Sequence, residues 1–378
     1  MKLLFLGDYC NGSQVTPKLA PEVSNLFKSA DFICLNFEAP IVSSDLTPAP
    51  KTGPAIGQPA SVLQTCKEWG ITHYSLANNH IMDYGQAGLV STLRHLRDMP
   101  FFGAGLNFEQ AYQPCYVEAS GMRIALLSFA EAQFGVLQDE NNSDNAGYAW
   151  IDHPRARRAV IEARGKADWV IVQVHAGLEM VDIPLPEWRH RYRELVELGA
   201  DLVVGHHPHV IQGSESYKGK MIYYSLGNFY MDVMLHQDDQ GSGAVLQVTI
   251  DQNGLHSVLV PFQVSLVEIG VDLSDKSNTH YQELCQKLAD VQTYYTEIQI
   301  ICNDFWKEIY SRYYEYALVG LGTRPTIKAA LLVLQRVVSY IRRRTMDFNA
   351  NELMLIHNIR IESHRWVVER ALASRCKQ

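Results

Sequence analysis

The sequence predicts an α/β sandwich followed by a helical extension. Short runs of β-branched and aromatic residues alternate with segments of helical periodicity through the first part of the chain. Two further strand-like runs, 244–250 and 257–264, flank Asp251-Gln252-Asn253-Gly254, a sequence typical of a hairpin turn. Beyond about residue 275, apolar residues recur at helical spacing with few strand signals. Strands that alternate with helices and end in a hairpin indicate an α/β sandwich whose first part resembles βαβ units.

The individual elements follow from their residue patterns. Before the hairpin we predict strands at residues 2–6, 32–37, 73–76, 123–129, 169–174, 202–204 and 221–225. The periodicity predicts helices at residues 59–69, 86–97, 154–164 and 186–198. The first apolar run stops at Gly7 and Asp8 follows, whereas a signal peptide needs about 7 to 15 apolar residues and a cleavage site. We therefore interpret residues 2–6 as the first strand.

Composition and charge exclude some classes of function. A net charge of −8 does not suit a general nucleic-acid binder, because phosphate contacts need a basic surface. No run of about 20 apolar residues occurs, so we expect no transmembrane segment. The seven cysteines are scattered without a C-x-x-C pair, a pattern typical of free thiols in a reducing compartment. The sequence therefore predicts a cytoplasmic protein without a nucleic-acid partner.

The helical extension differs from the rest of the chain in charge. We predict one domain over residues 1–270 and the extension over residues 275–378. Residues 324–378 carry eleven Lys and Arg against four Asp and Glu, so a basic tail follows an acidic body. Such a tail favours packing on the first domain, formation of a homo-oligomer or docking to a protein partner. A membrane-surface helix is the weaker alternative, because Arg342-Arg343-Arg344 follows the apolar face of residues 329–341.

Polar residues follow several of the predicted strands at the point where each strand ends. They are Asp8, Glu38, Asn79, His80, His175, His206, His207 and His209. Because ligands of open α/β sheets bind at the carboxyl ends of the strands, we expect these side chains to meet at one edge. Each of them alone is more often a turn former, a helix cap or a structural histidine. Together, carboxylate, amide and imidazole groups suit Mn, Fe or Zn, and two metals about 4 Å apart need a bridging carboxylate.

Several phrases in residues 1–232 resemble a known protein family. Besides Gly7-Asp8 and Asn36-Phe37-Glu38, they are Leu76-Ala77-Asn78-Asn79-His80, Gly103-Ala104-Gly105, Gly205-His206-His207-Pro208-His209-Val210 and Tyr224-Ser225-Leu226-Gly227-Asn228-Phe229. Their order resembles the calcineurin-like metallophosphoesterase superfamily. More closely, it resembles the branch of capsule synthesis protein CapA, which is associated with poly-γ-glutamate capsules. The resemblance implies a metallophosphatase-like four-layer α/β/β/α sandwich, with the C-terminal helical extension outside it.

The resemblance also implies roles for individual residues. The metal ligands would be Asp8, Glu38, Asn79, His175, His207 and His209, with Glu38 in the bridging position. His80 would protonate the leaving group, and Asp83 would hold its imidazole in one tautomer. Candidate substrate-binding residues are Cys10, Glu179, His206 and Asn228. These roles predict a hydrolase with two divalent metals (Mn, Fe or Zn). Its small-molecule or peptide substrate would contain a phosphoester or a peptide or γ-glutamyl amide, in capsule-polymer or modified-peptide biosynthesis.

Two departures from the family pattern leave alternatives open. Many superfamily members have Asp-x-His after the first strand, whereas this chain has Asp8-Tyr9-Cys10, so one ligand is lost unless Cys10 or water replaces it. The branch usually has His-Trp-Gly-x-Glu, whereas this chain has His175-Ala176-Gly177-Leu178-Glu179. If the first metal site is lost and no metal binds, the cluster would suit a metal-independent acid–base enzyme, such as a peptide epimerase. A non-catalytic scaffold in capsule-polymer assembly is the third interpretation.

Overall fold

The computed structural model describes residues 1–314 and 350–375, apart from residues 14, 120, 141–144, 236–240 and 273. The chain divides into two compact units, the first of which comprises residues 1–49 and 55–294. The second comprises residues 50–54 and the described residues from 295 onward. All strands that the described residues form belong to the first unit.

A large mixed sheet forms one half of the first unit. Within the described residues its nine strands are β1 (Lys2–Cys10), β2 (Lys18–Leu19), β3 (Phe32–Phe37), β4 (His73–Ser75), β5 (Phe101–Phe102), β15 (Asn228–Met231), β16 (Gly241–Asp251), β17 (Gly254–Val264) and β18 (Glu268–Val271). The strand order is β2-β18-β17-β16-β1-β3-β4-β5, and β15 pairs with the carboxyl-terminal part of β1. Because β1, β3, β4 and β5 are parallel, their carboxyl ends reach the same edge.

A second sheet forms the other half. In the described part of the chain its six strands are β7 (Cys115–Ala119), β8 (Met122–Ala130), β11 (Trp169–His175), β12 (Leu202–His206), β13 (Ser214–Tyr217) and β14 (Lys220–Tyr223). Their order is β13-β14-β12-β11-β8-β7, and β8, β11, β12 and β14 are parallel. A small third sheet contains β6 (Ala104–Gly105), β9 (Val136–Leu137) and β10 (Gly147–Ala149).

The two large sheets pack face to face. Their shared apolar core contains Leu3 and Phe5 from β1 and Leu202 and Val204 from β12. Because successive side chains of a strand point to opposite faces, Leu4 is buried on the other side of β1, against helices.

Helices cover the outer faces of both sheets. They are α1 (Pro21–Lys28), α2 (Val62–Glu68), α3 (Gly85–His95), α4 (Phe108–Tyr112), α5 (Pro154–Arg164) and α6 (Pro186–Glu197). Val23 of α1, Cys66 of α2 and Leu89 of α3 belong to the core on the outer face of the larger sheet. α5 and α6 contact strands of the six-stranded sheet, and Val160 of α5 and Trp188 of α6 are buried. The layers therefore run helix, sheet, sheet, helix, which confirms the predicted four-layer α/β/β/α sandwich.

The predicted elements are present with shifted bounds. All nine predicted strands and all four predicted helices have counterparts in the described residues. β1 extends from the predicted end at residue 6 to Cys10, because residues 8–10 pair with the distant strand β15. The strands that the sequence analysis missed are mostly two to five residues long, too short to show an alternating pattern. Their existence depends on pairing with neighbours.

Helices follow the hairpin, as predicted. They are α7 (Asp275–Ala289), α8 (Val291–Phe305), a π-helical turn (Trp306–Tyr310), α9 (Ala350–Arg360) and α10 (Glu362–Arg375). The division between the units falls after Tyr294. Within the first unit, α7 packs on β13, and Tyr281 donates a hydrogen bond to Oγ of Ser214 (2.6 Å). Most of the predicted basic tail, including Arg342-Arg343-Arg344, lies outside the described residues. Within the described residues, no helix combines the length and apolarity needed to cross a membrane.

Candidate metal centre

The strand faces between the sheets change from apolar to polar towards the carboxyl ends. The change runs through Phe32, Cys34 and Asn36 on β3, Ile171, Gln173 and His175 on β11, and Leu202, Val204 and His206 on β12. All of these side chains are buried. Since alternate residues share a face, each strand carries its polar residues into the space between the two sheets. The predicted meeting of strand ends therefore occurs, and it occurs away from solvent.

Asp8 lies at the centre of this polar cluster. Its Oδ1 accepts a hydrogen bond from Nδ2 of Asn36 (2.7 Å), and its Oδ2 accepts one from the backbone N–H of His207 (3.0 Å). Nδ1 of His206 lies 3.3 Å from Oδ1, and Nδ1 of His209 lies 3.4 Å from Oδ2. Burial would raise the pKa of Asp8, but the close approach of the His206 imidazole and the electrostatic influence of the nearby histidines outweigh burial and lower it. Asp8 is thus held as a carboxylate.

Glu38, directly after β3, is fully buried. Among the described residues, neither of its carboxylate oxygens has a hydrogen-bond partner. Oε1 lies 3.4 Å from Nε2 of His175 and 3.8 Å from Nε2 of His209. Burial raises the pKa of Glu38 well above its usual range, and the charges of Asp8 and Glu179 act in the same direction. A carboxylate in this position needs a proton or a cation to compensate its charge.

Three histidines and an asparagine surround the two carboxylates. Nε2 of His175 lies 2.9 Å from Oδ1 of Asn79 and 3.0 Å from Nδ1 of His207. Nδ1 of His209 lies 2.9 Å from Oδ1 of Asn228. Burial and the neighbouring His207 lower the pKa of His175 well below its usual range, which favours the neutral imidazole. Neutral imidazole is the form that binds metals.

Two groups of these side chains have the spacing of a metal site. Glu38, His207 and His209 offer ligand atoms within 4.8 Å of one another, and so do Asp8, Glu38 and His175. The groups share Glu38 alone, so its carboxylate lies between them.

His80 and Asp83, the predicted acid and its partner, are in contact. Nδ1 of His80 lies 2.7 Å from Oδ2 of Asp83, and this oxygen also accepts a hydrogen bond from the backbone N–H of Ile56 (2.8 Å). Oδ1 of Asn78 accepts a hydrogen bond from the N–H of His80 (3.1 Å) and holds the loop in place. Burial is the main cause of the raised pKa of Glu38, and the charge of Asp83 adds to it. The pair therefore lies within electrostatic range of the cluster.

The predicted substrate-binding residues lie in different environments. Cys10 packs against Met231 in a small apolar cluster, and burial raises the pKa of its thiol well above the usual range. His206 and Asn228 lie in the cluster itself, in contact with predicted metal ligands. The charge of Glu179 acts on the cluster from nearby.

Close backbone approach shapes the loops of the site. A Cβ atom at Gly7 would lie 2.2 Å from the carbonyl oxygen of Gly227, and the N–H of Asp8 donates to the same oxygen (3.0 Å). His207 has a φ of 95° and His209 a φ of 59°, and residues other than glycine seldom adopt such positive φ angles. His207 also precedes a proline, where extended backbone is preferred. Strain of this kind persists only where the surroundings impose it, and it is concentrated at functional sites.

Two further residues of the cluster were missed by the sequence analysis. Oε1 of Glu131 lies 3.3 Å from Nε2 of His207, and its backbone N–H donates to the carbonyl oxygen of His175 (3.1 Å). Glu131 directly follows β8, so the rule that selected the other strand-end residues applies to it as well. Asn36 lies inside β3, and its position in the site is revealed by its contacts with Oδ1 of Asp8 (2.7 Å) and Nδ1 of His175 (3.2 Å).

Comparison with known proteins identifies the family. A family model described as bacterial capsule synthesis protein PGA_cap matches residues 2–233. The chain belongs to this family. The match covers the region in which the motifs resemble the CapA branch, and the resemblance is thereby confirmed.

The chain is also similar to two CapA proteins, each of which is longer than the aligned region. Capsule biosynthesis protein CapA of Bacillus anthracis is 33% identical over 243 residues, which cover 60% of this chain and 59% of that protein. PGA biosynthesis protein CapA of Bacillus subtilis (strain 168) is 33% identical over 214 residues, which cover 56% of each chain. The chain therefore spans less than two thirds of the length of these relatives. Among solved structures, a Staphylococcus aureus protein provisionally named 5′-nucleotidase has 13% identity and a TM-score of 0.44, covering 76% of this chain and 58% of that chain.

Proposed function

We propose that this protein is a metal-dependent hydrolase with a dinuclear centre held by Asp8, Glu38, Asn79, His175, His207 and His209. The observation that carries the proposal is the Glu38 carboxylate. It is fully buried, and within the described residues its two oxygens have no hydrogen-bond partner. His175 and His209 lie within 4 Å of Oε1, and Asp8 and His207 also offer ligand atoms near it. A buried acid among imidazoles is the donor set expected for a divalent transition metal.

The donor atoms fit two cations better than one. The two candidate groups overlap at Glu38 alone, and each contains at least one histidine. The carbonyl oxygen of the Asn79 side chain lies beside Nε2 of His175 and offers a further neutral oxygen donor. Bound there, divalent metals would supply Lewis acidity and lower the pKa of a water molecule towards neutral.

The remaining groups of the site support proton transfer to a leaving group. Asp83 contacts Nδ1 of His80, and a carboxylate in this position stabilises the imidazolium and orients its ring. Nε2 of His80 is then the atom that would donate a proton. We infer that His80 is the general acid and that Asp83 positions it.

The substrate class is inferred from the family. The relatives named above take part in capsule or PGA biosynthesis, and a γ-glutamyl amide or another peptide bond is a carbonyl electrophile suited to this donor set. A phosphoester is the second class of electrophile that the same groups would serve. We therefore propose hydrolysis of one of these bonds during the formation of a capsule polymer or a modified peptide.

The first test is elemental analysis of protein purified without chelator. We expect about two equivalents of Mn, Fe or Zn in the wild-type protein and a large loss in His207→Ala. His73→Ala is the matched control, because His73 is also buried but begins β4, at the end of the strand away from the site. Absence of metal after incubation with excess Mn and Zn would refute the dinuclear hydrolase and favour a metal-independent acid–base enzyme.

The second test separates the reactions. The metal-loaded protein is assayed with phosphoesters and with γ-glutamyl amides, and each substrate is also incubated in deuterated water. Hydrolysis that is lost in folded His80→Ala supports the proposal. Deuterium at an α-carbon without bond cleavage would instead identify an epimerase, and unchanged substrate in every arm would leave a scaffold as the function.

A further inference from the structure

A chain of buried polar contacts connects the inter-sheet core to the metal centre. Gln173 lies in the middle of β11, fully buried, on the face that carries Ile171 in the apolar core. Its Nε2 donates a hydrogen bond to Sγ of Cys34 on the opposite sheet (3.1 Å). Its Oε1 lies 3.1 Å from Nε2 of His206 on the neighbouring strand β12. One amide thus spans three strands and both sheets.

Packing alone does not explain why a polar residue occupies this position in the core. Burying an amide without partners costs roughly 1–3 kcal/mol, and an apolar residue of similar size would fill the same space without that cost. Both polar atoms of Gln173 have partners, and one of the partners is an aromatic ring that reaches the site.

His206 is the link between Gln173 and the predicted ligands. Among the described residues it belongs to neither of the two groups with metal-site spacing. Its ring is fully buried, with Nε2 facing Gln173 and Nδ1 lying 3.3 Å from Oδ1 of Asp8. Among the described residues Nδ1 has no hydrogen-bond partner at this distance, so the contact of Nε2 with Gln173 is the one that sets the orientation of the ring. Gln173 therefore holds the ring with Nδ1 towards Asp8.

We propose that Gln173 and His206 are positioning residues that fix the orientation of the Asp8 carboxylate for metal binding. Oδ1 of Asp8 has Asn36 and His206 on one side, and Oδ2 accepts the backbone N–H of His207. Asn36 of one sheet and the N–H of His207 after a strand of the other hold the two oxygens, and Nδ1 of His206 lies beside Oδ1. This inference rests on the proposed metal centre and names the residues that orient one of its ligands.

The test compares metal affinity in four variants of the full chain. Gln173→Met keeps the volume but removes both polar atoms, and His206→Phe keeps a ring but removes both nitrogens. Ser75→Ala is the matched control, because Oγ of Ser75 contacts Oγ of Ser128 (2.8 Å), a buried polar pair that also joins the two sheets. The fourth variant combines Gln173→Met with His206→Phe. Affinities for Mn²⁺ and Zn²⁺ are measured by calorimetric titration, and thermal unfolding of the metal-free proteins reports on stability.

The expected result is a loss of about 10-fold to 100-fold in metal affinity for Gln173→Met, with no change for Ser75→Ala. If Gln173 acts through His206, the double variant binds metal no more weakly than His206→Phe. Wild-type affinity in Gln173→Met, an equal loss in Ser75→Ala, or multiplicative losses in the double variant would overturn the inference.

A second measurement separates this inference from the proposed function. If wild-type protein binds no metal, the metal centre is refuted, and crystal structures of metal-free wild-type and Gln173→Met protein decide the positioning role. A rotated His206 ring or Asp8 carboxylate in the variant supports it. Unchanged orientations of both side chains would overturn it.

Discussion

Replacing Glu38 by glutamine is expected to stabilise the metal-free protein while abolishing metal binding. The wild-type carboxylate is fully buried, and in the described part of the chain neither oxygen has a hydrogen-bond partner. Glutamine has nearly the same shape and carries no charge. The substitution therefore removes the cost of burying an uncompensated acid without opening a cavity.

The magnitude follows from the burial and the sign from the pKa. A buried polar group without partners costs roughly 1–3 kcal/mol and a charged one more; since glutamine remains polar, the variant gains only the difference, on the order of 1–3 kcal/mol. The pKa of Glu38 is raised well above its ordinary value of 4.5, chiefly by burial and by Asp8. Above pH 4.5 the Glu38 carboxyl binds more protons in the native state than in the unfolded state, so its contribution to the free energy of unfolding of the wild-type protein falls as pH rises. The advantage of the variant therefore grows from pH 4.5 upward.

The assay is thermal unfolding of metal-free wild-type and variant protein at several pH values, with and without added Zn²⁺. For domains of 150–250 residues, 1 kcal/mol shifts the Tm by roughly 2–4 °C, a readily measured change. Glu215→Gln is the matched control, because Glu215 is also mostly buried but has Arg189, Arg193 and Tyr224 as partners. A metal-free Glu38→Gln protein that is less stable than wild type at pH 8 would refute this account of the site.

Three further substitutions or conditions test other parts of the structure. Glu215→Gln should lower stability by about 1–2 kcal/mol, because it removes the charge from two guanidinium contacts. Burial would raise the pKa of Glu215, but the hydrogen bonds from Arg193, Arg189 and Tyr224 lower it to about 2. The stability that Glu215 contributes should therefore disappear between pH 4.5 and 2 in acid titrations. Gly7→Ala should lower the free energy of unfolding by about 3 kcal/mol or more and weaken metal binding, since its Cβ would lie 2.2 Å from the carbonyl oxygen of Gly227 and displace Asp8. Gly165→Ala is the control in the same unfolding assay and should be nearly neutral, because the nearest atom would lie at 3.6 Å. Asp83→Asn should lower kcat by roughly 10-fold to 100-fold with little change in KM, and an unchanged kcat would remove Asp83 from the mechanism.

Much of the site could be predicted because of where its residues stand in the sequence. Glu38, His175 and His207 lie at or directly after strand ends, Asp8 lies two residues before the end of β1, and Asn79 lies in the loop after β4. Parallel strands bring their carboxyl ends to one edge. The rule needs only the approximate end of each strand, so errors of a few residues in the strand bounds do not affect it. The same rule extends to Glu131, which was overlooked although it directly follows β8.

The sequence by itself determined the order of the longer strands and helices and the α/β class, because alternation and periodicity are local properties of the chain. The four-layer arrangement and the roles of the candidate ligands came from the resemblance of its motifs to a known family. Only the tertiary structure decided which sheet each strand joins, since pairing depends on partners far apart, as between β1 and β15. It also decided that the Glu38 carboxylate has no hydrogen-bond partner among the described residues, that Asn36 holds Asp8 and that Gln173 reaches His206. Each of these facts depends on side chains from two sheets that meet between the layers, and such contacts leave no periodic signal in either strand.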